Sequence, residues 1–83
     1  MTARLPRKVR RVLAALDNAP QPLTGSDLCH ITCHWPGTIY PILERLTDAG
    51  WIERHTTDSH LLGYQLTDTG RHHTRRMRTG GKP

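Results

Sequence analysis

Eighty-three residues carrying a net charge of +5 allow one small domain with a thin core. The chain has no Phe, and nowhere does it string together the ~20 apolar residues that a membrane span needs. The basic start, residues 1–8, leads into no apolar block of secretory length. With two cysteines and no such leader, a reducing, cytoplasmic setting is expected.

The charge is unevenly placed. Residues 1–11 hold Arg4, Arg7, Lys8, Arg10 and Arg11 with no acid, and residues 71–83 hold Arg71, Arg75, Arg76, Arg78 and Lys82 with none. Between them, seven carboxylates outnumber Arg45 and Arg54, leaving −5. Basic ends of this kind suit a polyanion, nucleic acid first among them.

Pro6 opens the first element, and Val9, Val12, Leu13 and Leu16 then recur at helical spacing. The prolines at 20 and 22 stop that helix near residue 18. Thr24 or Ser26 offers a capping oxygen for a short helix over 25–32, with Leu28 and Ile31 turned inward. Pro36 opens another helix, in which Ile39, Ile42, Leu43 and Leu46 form the apolar stripe and Gly50 marks the stop. Pro41 lies inside it, and a loosened or kinked first turn is expected there. The period then changes to two. Residues 51–55 and 62–66 read as the strands of a hairpin around a polar turn, and Thr67 caps a basic last helix. The expected fold is α+β, mostly α: a winged helix-turn-helix over residues 1–78, with a disordered tail over 79–83.

Four stretches carry a family resemblance: Leu23-Thr-Gly, Pro36-Gly-Thr-Ile-Tyr-Pro-Ile-Leu-Glu-Arg-Leu46, Asp48-Ala-Gly-Trp-Ile52 and Tyr64-Gln-Leu-Thr-Asp-Thr-Gly70. Together they resemble the PadR-type winged-helix regulators, over roughly residues 5–76. The resemblance implies a sequence-specific DNA-binding transcription regulator, usually dimeric and usually a repressor. It makes Gly37, Thr38 and Tyr40 the candidate DNA contacts on the recognition helix. Two departures stand out. This chain carries Arg71-His-His-Thr-Arg-Arg-Met77 where the family extends a long apolar dimerisation helix, and Trp35 replaces the small polar cap before the proline.

A helical wheel puts Gly37, Pro41, Glu44 and Asp48 opposite the apolar stripe, with Thr38 and Arg45 on one flank and Tyr40 on the other. Gly37 permits close backbone approach, Thr38 and Arg45 suit a groove contact, and Tyr40 suits a phosphate or sugar. Tyr40 packing on the hairpin and Thr38 as a plain first-turn residue are the alternatives. Glu44 and Asp48 repel phosphate unless they pair with Arg45 or lie beyond the DNA backbone. The wing tip, with His55, Thr56, Thr57 and His60, has only Arg54 at its base and is expected to contact DNA weakly. Phosphate contacts are assigned to Arg7, Lys8, Arg11, Arg54, Arg71, Arg75 and Arg76.

Cys29, His30, Cys33 and His34 form two i, i+4 pairs that one ion could share, but the spacing fits neither a structural zinc site nor a haem attachment motif. No metal and no cofactor are expected. Nor is catalysis, because the chain has no phosphate-binding glycine loop and no triad. Duplex DNA is the expected partner, with a second copy of the chain as homodimer or cooperative array. Two other readings keep the fold: an excisionase-like architectural DNA-binding factor, and a protein-interaction module without DNA. If five cations engage phosphates, log K falls against log salt with a slope of about −4.5. Titration of duplex DNA across a salt series checks this, and salt-independent affinity contradicts DNA binding.

Overall fold

The computed structural model describes residues 5–56 and 61–80, with side chains given through 76. Helix α1 (Arg7–Asn18) forms where the first stripe lies, and it buries Val12, Leu13 and Leu16. Pro6 is its N-cap residue, one position before the helix. Helix α2 (Gly25–Thr32) starts at a capping box. The Thr24 hydroxyl accepts from Asp27 N–H, and the Asp27 carboxylate accepts from Thr24 N–H, each at 3.0 Å. Two orphan donors are thereby satisfied at once.

The far end of α2 departs from expectation. Ile31 is 52% exposed, and Thr32 is buried in its stead, its hydroxyl donating to the Leu28 carbonyl at 2.7 Å. Back-bonding hides the hydroxyl's polarity, so threonine can occupy the inward position. Cys33 caps the helix at φ 58, in the left-handed region.

Helix α3 (Pro36–Asp48) is continuous through Pro41 and buries Ile39, Leu43 and Leu46. Its first turn is tightened rather than loosened: the Trp35 carbonyl accepts from both Thr38 N–H (2.9 Å) and Ile39 N–H (3.0 Å). The helix ends as the sequence expects. Gly50, at φ 79, donates to the Thr47 carbonyl and Trp51 N–H to the Leu46 carbonyl, each at 3.0 Å, which is a Schellman motif.

Strands β2 (Ile52–Thr56) and β3 (Leu62–Leu66) pair antiparallel, with Ile52 opposite Leu66 and Arg54 opposite Tyr64. The hairpin is not alone. A two-residue strand β1 (Leu23–Thr24) adds to the other edge of β3, giving a three-stranded sheet in the order β1-β3-β2. Two residues are too short for any periodicity to reveal, yet the third strand gives the hairpin the support it lacks by itself. Leu62 shares a sheet face with Tyr64 and Leu66 but is 48% exposed, since that end of the strand runs past the core.

Helix α4 (Asp68–Gly80) packs against α1 and β3, whereas α3 packs against α2 and β2. Of the expected tail, residues 81–83 lie outside the described residues, as do Thr57 and His60 of the wing tip; α4 itself runs to Gly80. α4 docks without large apolar side chains among those described. Gly70 and Thr74 are its buried residues, and His73 stacks on Trp51 with ring centroids 4.4 Å apart and planes 8° from parallel. Any Cβ at Gly70 would collide with the Trp51 carbonyl, whose carbon would lie only 2.7 Å away.

Two substitutions check this account. Gly70→Ala is expected to destabilise by about 2 kcal/mol or more, through overpacking against backbone. Cys33→Gly is expected to stabilise by about 1 kcal/mol, by relieving the left-handed cysteine. Thermal and urea unfolding of the two variants should move in opposite directions.

Candidate nucleic-acid interface

The N-terminal end of α3 is shaped by the turn before it. Cys33 closes α2 in the left-handed region, the chain passes through an extended Trp35, and Pro36 fixes the first helical position. Trp35 makes no side-chain cap. Pro36 has no N–H and Thr38 N–H is spent on the Trp35 carbonyl, so the Gly37 amide is the open donor of that turn among the described residues. Gly37 is exposed, and a Cβ built on it meets nothing within 4 Å. Neither crowding nor a positive φ demands glycine here.

Thr38 is half-buried beside it. Tyr40 is 48% exposed and leans on the start of α2: a Cβ at Gly25 would coincide with the tyrosine ring, with Cζ at 2.6 Å. Gly25 therefore makes room for Tyr40, and the phenol hydroxyl stands at the N-terminus of α2. Arg45 faces the other way. It is exposed and lines a groove of about 310 Å³ with Leu5, Pro6 and Val9 of the α1 end, Ile42 and Trp51. The four groove candidates thus split: Gly37 and Thr38 share the first turn, while Tyr40 and Arg45 occupy opposite flanks.

Glu44 and Asp48 are exposed, and among the described residues no ion pair joins either to Arg45. The pairing with Arg45 that would have quenched them is absent from this structure. Their carboxylates stay in the C-terminal half of the helix, so the acid-free half is its beginning.

The phosphate candidates also divide. Arg7, Lys8 and Arg11 are exposed on α1, and Arg75 and Arg76 on α4, with Arg71 half-buried and 3.9 Å from Asp68. α4 starts beside Trp51, at the C-terminal end of α3. A 13-residue helix is about 20 Å long, which separates the start of α4 from Gly37 by roughly that distance. Arg54 is exposed on β2, on the sheet face shared by Ile52 and Leu66, while Glu53 and His55 pair at 2.9 Å on the outer face.

The cysteine–histidine segment does not stay on one helix. α2 stops at Thr32, so Cys33 and His34 leave the columns of Cys29 and His30. Among the described residues no three His, Cys, Asp or Glu side chains come together as a metal site. Nor is any helix among them long and apolar enough to cross a membrane.

Sequence reasoning missed β1, Gly25 and Gly70. The two glycines carry a signal only in hindsight, since each is small because a particular neighbour (Tyr40 or Trp51) occupies its side-chain space.

A winged helix with the N-terminal end of α3 exposed defines a class, and comparison narrows it. The model of the transcriptional regulator PadR-like family matches residues 12–76, and the chain belongs to that family. No match was found among curated proteins. Solved structures share the fold. MepR, a transcription regulator of the Staphylococcus aureus multidrug efflux pump MepA, superposes with a TM-score of 0.84 at 17% identity, over 90% of this chain and 56% of that one. The S. aureus MepR–DNA complex gives 0.80 at 19% identity, over 90% and 63%. A MarR family transcriptional regulator of Silicibacter pomeroyi gives 0.77 at 21%, over 92% and 54%. The chain thus spans little more than half the length of these structures.

Because Glu44 and Asp48 are unpaired within the helix, neutralising both (Glu44→Gln with Asp48→Asn) should raise affinity for duplex DNA. A gain of roughly fivefold, about 1 kcal/mol, is expected at low salt. Fluorescence anisotropy with a labelled duplex measures it, and unchanged affinity would place both residues away from the DNA.

Proposed function

We propose that this chain binds duplex DNA with the first turns of α3 in the major groove and regulates transcription, as a repressor that occupies its operator. The observation that carries the reading is Gly37. Glycine within a helix costs roughly 0.5–1 kcal/mol against alanine, and nothing inside this fold requires it. An approaching surface does: the bare backbone lets a phosphate or base edge come up to the open amide.

The neighbours support the same pose. Thr38 stands beside Gly37 to bond a base edge or touch a thymine methyl. Tyr40, with its hydroxyl at the α2 N-terminus, supplies a positioning contact to the DNA backbone. Arg45, on the α1 side of the helix, and Arg54, on β2, are further cationic candidates, and the cations of α1 add sequence-independent attraction. One such domain covers few base pairs, so specific binding calls for two copies on adjacent half-sites. The family match and the winged-helix likeness to a regulator solved with DNA favour this reading over protein-only interaction.

Retention of sheared source-genome DNA on the purified protein, with excess non-specific competitor, tests the proposal. An enriched site beside a promoter is expected, whereas no enrichment would overturn the reading. Gly37→Ala separates fold from function. It should leave stability equal or higher by up to about 1 kcal/mol while weakening binding to the enriched site at least tenfold, about 1.4 kcal/mol.

A further inference from the structure

The backbone of Trp35 starts α3, but its side chain takes little part in the packing of the fold. It is 82% exposed, makes no capping hydrogen bond, and stands one residue before Pro36 at the N-cap of α3. The other tryptophan shows what this fold does with an indole it uses internally: Trp51 is stacked on His73 and bonded through its backbone to Leu46 of α3 and to Thr67. An indole carries one of the largest apolar surfaces of any side chain, and at position 35 the chain leaves it uncovered.

Its surroundings identify the kind of partner. Residues 28–43 contain no Asp or Glu, although residues 12–70 as a whole carry −5. This acid-free stretch comprises most of α2, the turn and the first half of α3. His30, Cys33 and Tyr40 are exposed along it, as is Ile31 at 52%. A stretch that is apolar and aromatic, with the carboxylates Asp27 and Glu44 at its two ends, takes a polyanion with little repulsion along it and offers apolar contact within it. In the major groove the apolar group on a base edge is the thymine 5-methyl.

We propose that Trp35 reads a thymine at the edge of each half-site by packing its indole against the 5-methyl group. The inference rests on the DNA-binding reading of α3 and extends it to a specificity-determining residue. The left-handed Cys33 two residues before Trp35 and the fixed φ of Pro36 after it define the backbone of the turn that presents the indole.

The test uses the full chain and its enriched duplex, with each thymine replaced in turn by deoxyuracil. For the unaltered protein, one thymine per half-site should lose about fourfold in affinity when its methyl is removed, the worth of one buried methyl-sized group. Trp35→Ala should bind the thymine duplex several-fold more weakly and show no further loss with deoxyuracil there, while Trp35→Phe keeps part of the sensitivity. Because the side chain is exposed, the thermal unfolding of both variants should match that of the parent, which removes misfolding as an explanation. Equal affinity and an equal deoxyuracil profile for parent and Trp35→Ala would overturn the inference with DNA binding intact. So would a loss in Trp35→Ala that is the same with thymine and with deoxyuracil at every position. Failure of the parent itself to bind DNA is a different result, and it would remove the underlying reading along with this one.

Discussion

The rest of the structure depends on the corner at Gly50 and Trp51. Gly50 takes the positive φ that ends α3, and its carbonyl accepts the Thr67 hydroxyl at 2.6 Å. Trp51 N–H closes the Schellman motif onto Leu46, and its carbonyl accepts Thr67 N–H at 3.0 Å. The same carbonyl is where Gly70 comes to rest, and the indole stacks on His73. Thr67 then turns back as a cap, its hydroxyl accepting from Gly70 N–H at 3.1 Å. Within two residues the end of α3, the start of β2 and the start of α4 are joined by backbone bonds. A basic helix with almost no apolar face can therefore still be docked, because its attachment is hydrogen bonding and close approach, not area.

That corner also sets the polarity of the molecule. It anchors the C-terminal end of α3, with Asp48 and the cationic α4 near it, and leaves the N-terminal end free. The free end holds Gly37, Thr38, Tyr40 and Trp35, presented by a left-handed turn and a proline. Charge follows the same division. Glu44 and Asp48 belong to the anchored half, and no carboxylate lies between Asp27 and Glu44. The position of the acids thus distinguishes the two ends of α3 as much as any cation does.

Much of this was legible in the chain. The stripes of α1 and α3 marked both helices and most of the core, and Thr24 and Gly50 announced a cap and a stop by chemistry that acts over a few residues. What the sequence hid was decided across longer distances. β1 exists because β3 has an edge to offer, not because Leu23 and Thr24 alternate. Thr32 displaced Ile31 from the interior by bonding its own helix, which hydropathy does not score. Gly25 and Gly70 are explained by Tyr40 and Trp51, residues far away in the chain. For the site, the residue types at 37, 38 and 40 were readable, but a wheel could not show Tyr40 resting on α2 or Arg45 turned toward α1.

In the proposed binding mode, the beginning of α3 is the end that meets DNA. Amide and indole NMR shifts of the labelled protein, followed as an operator duplex is added, test it most directly. The largest changes are expected at the amides of Gly37 and Thr38, at Tyr40 and at the Trp35 indole, with the Trp51 indole nearly still. Changes confined to α1 and α4, with the first turn of α3 unmoved, would contradict it.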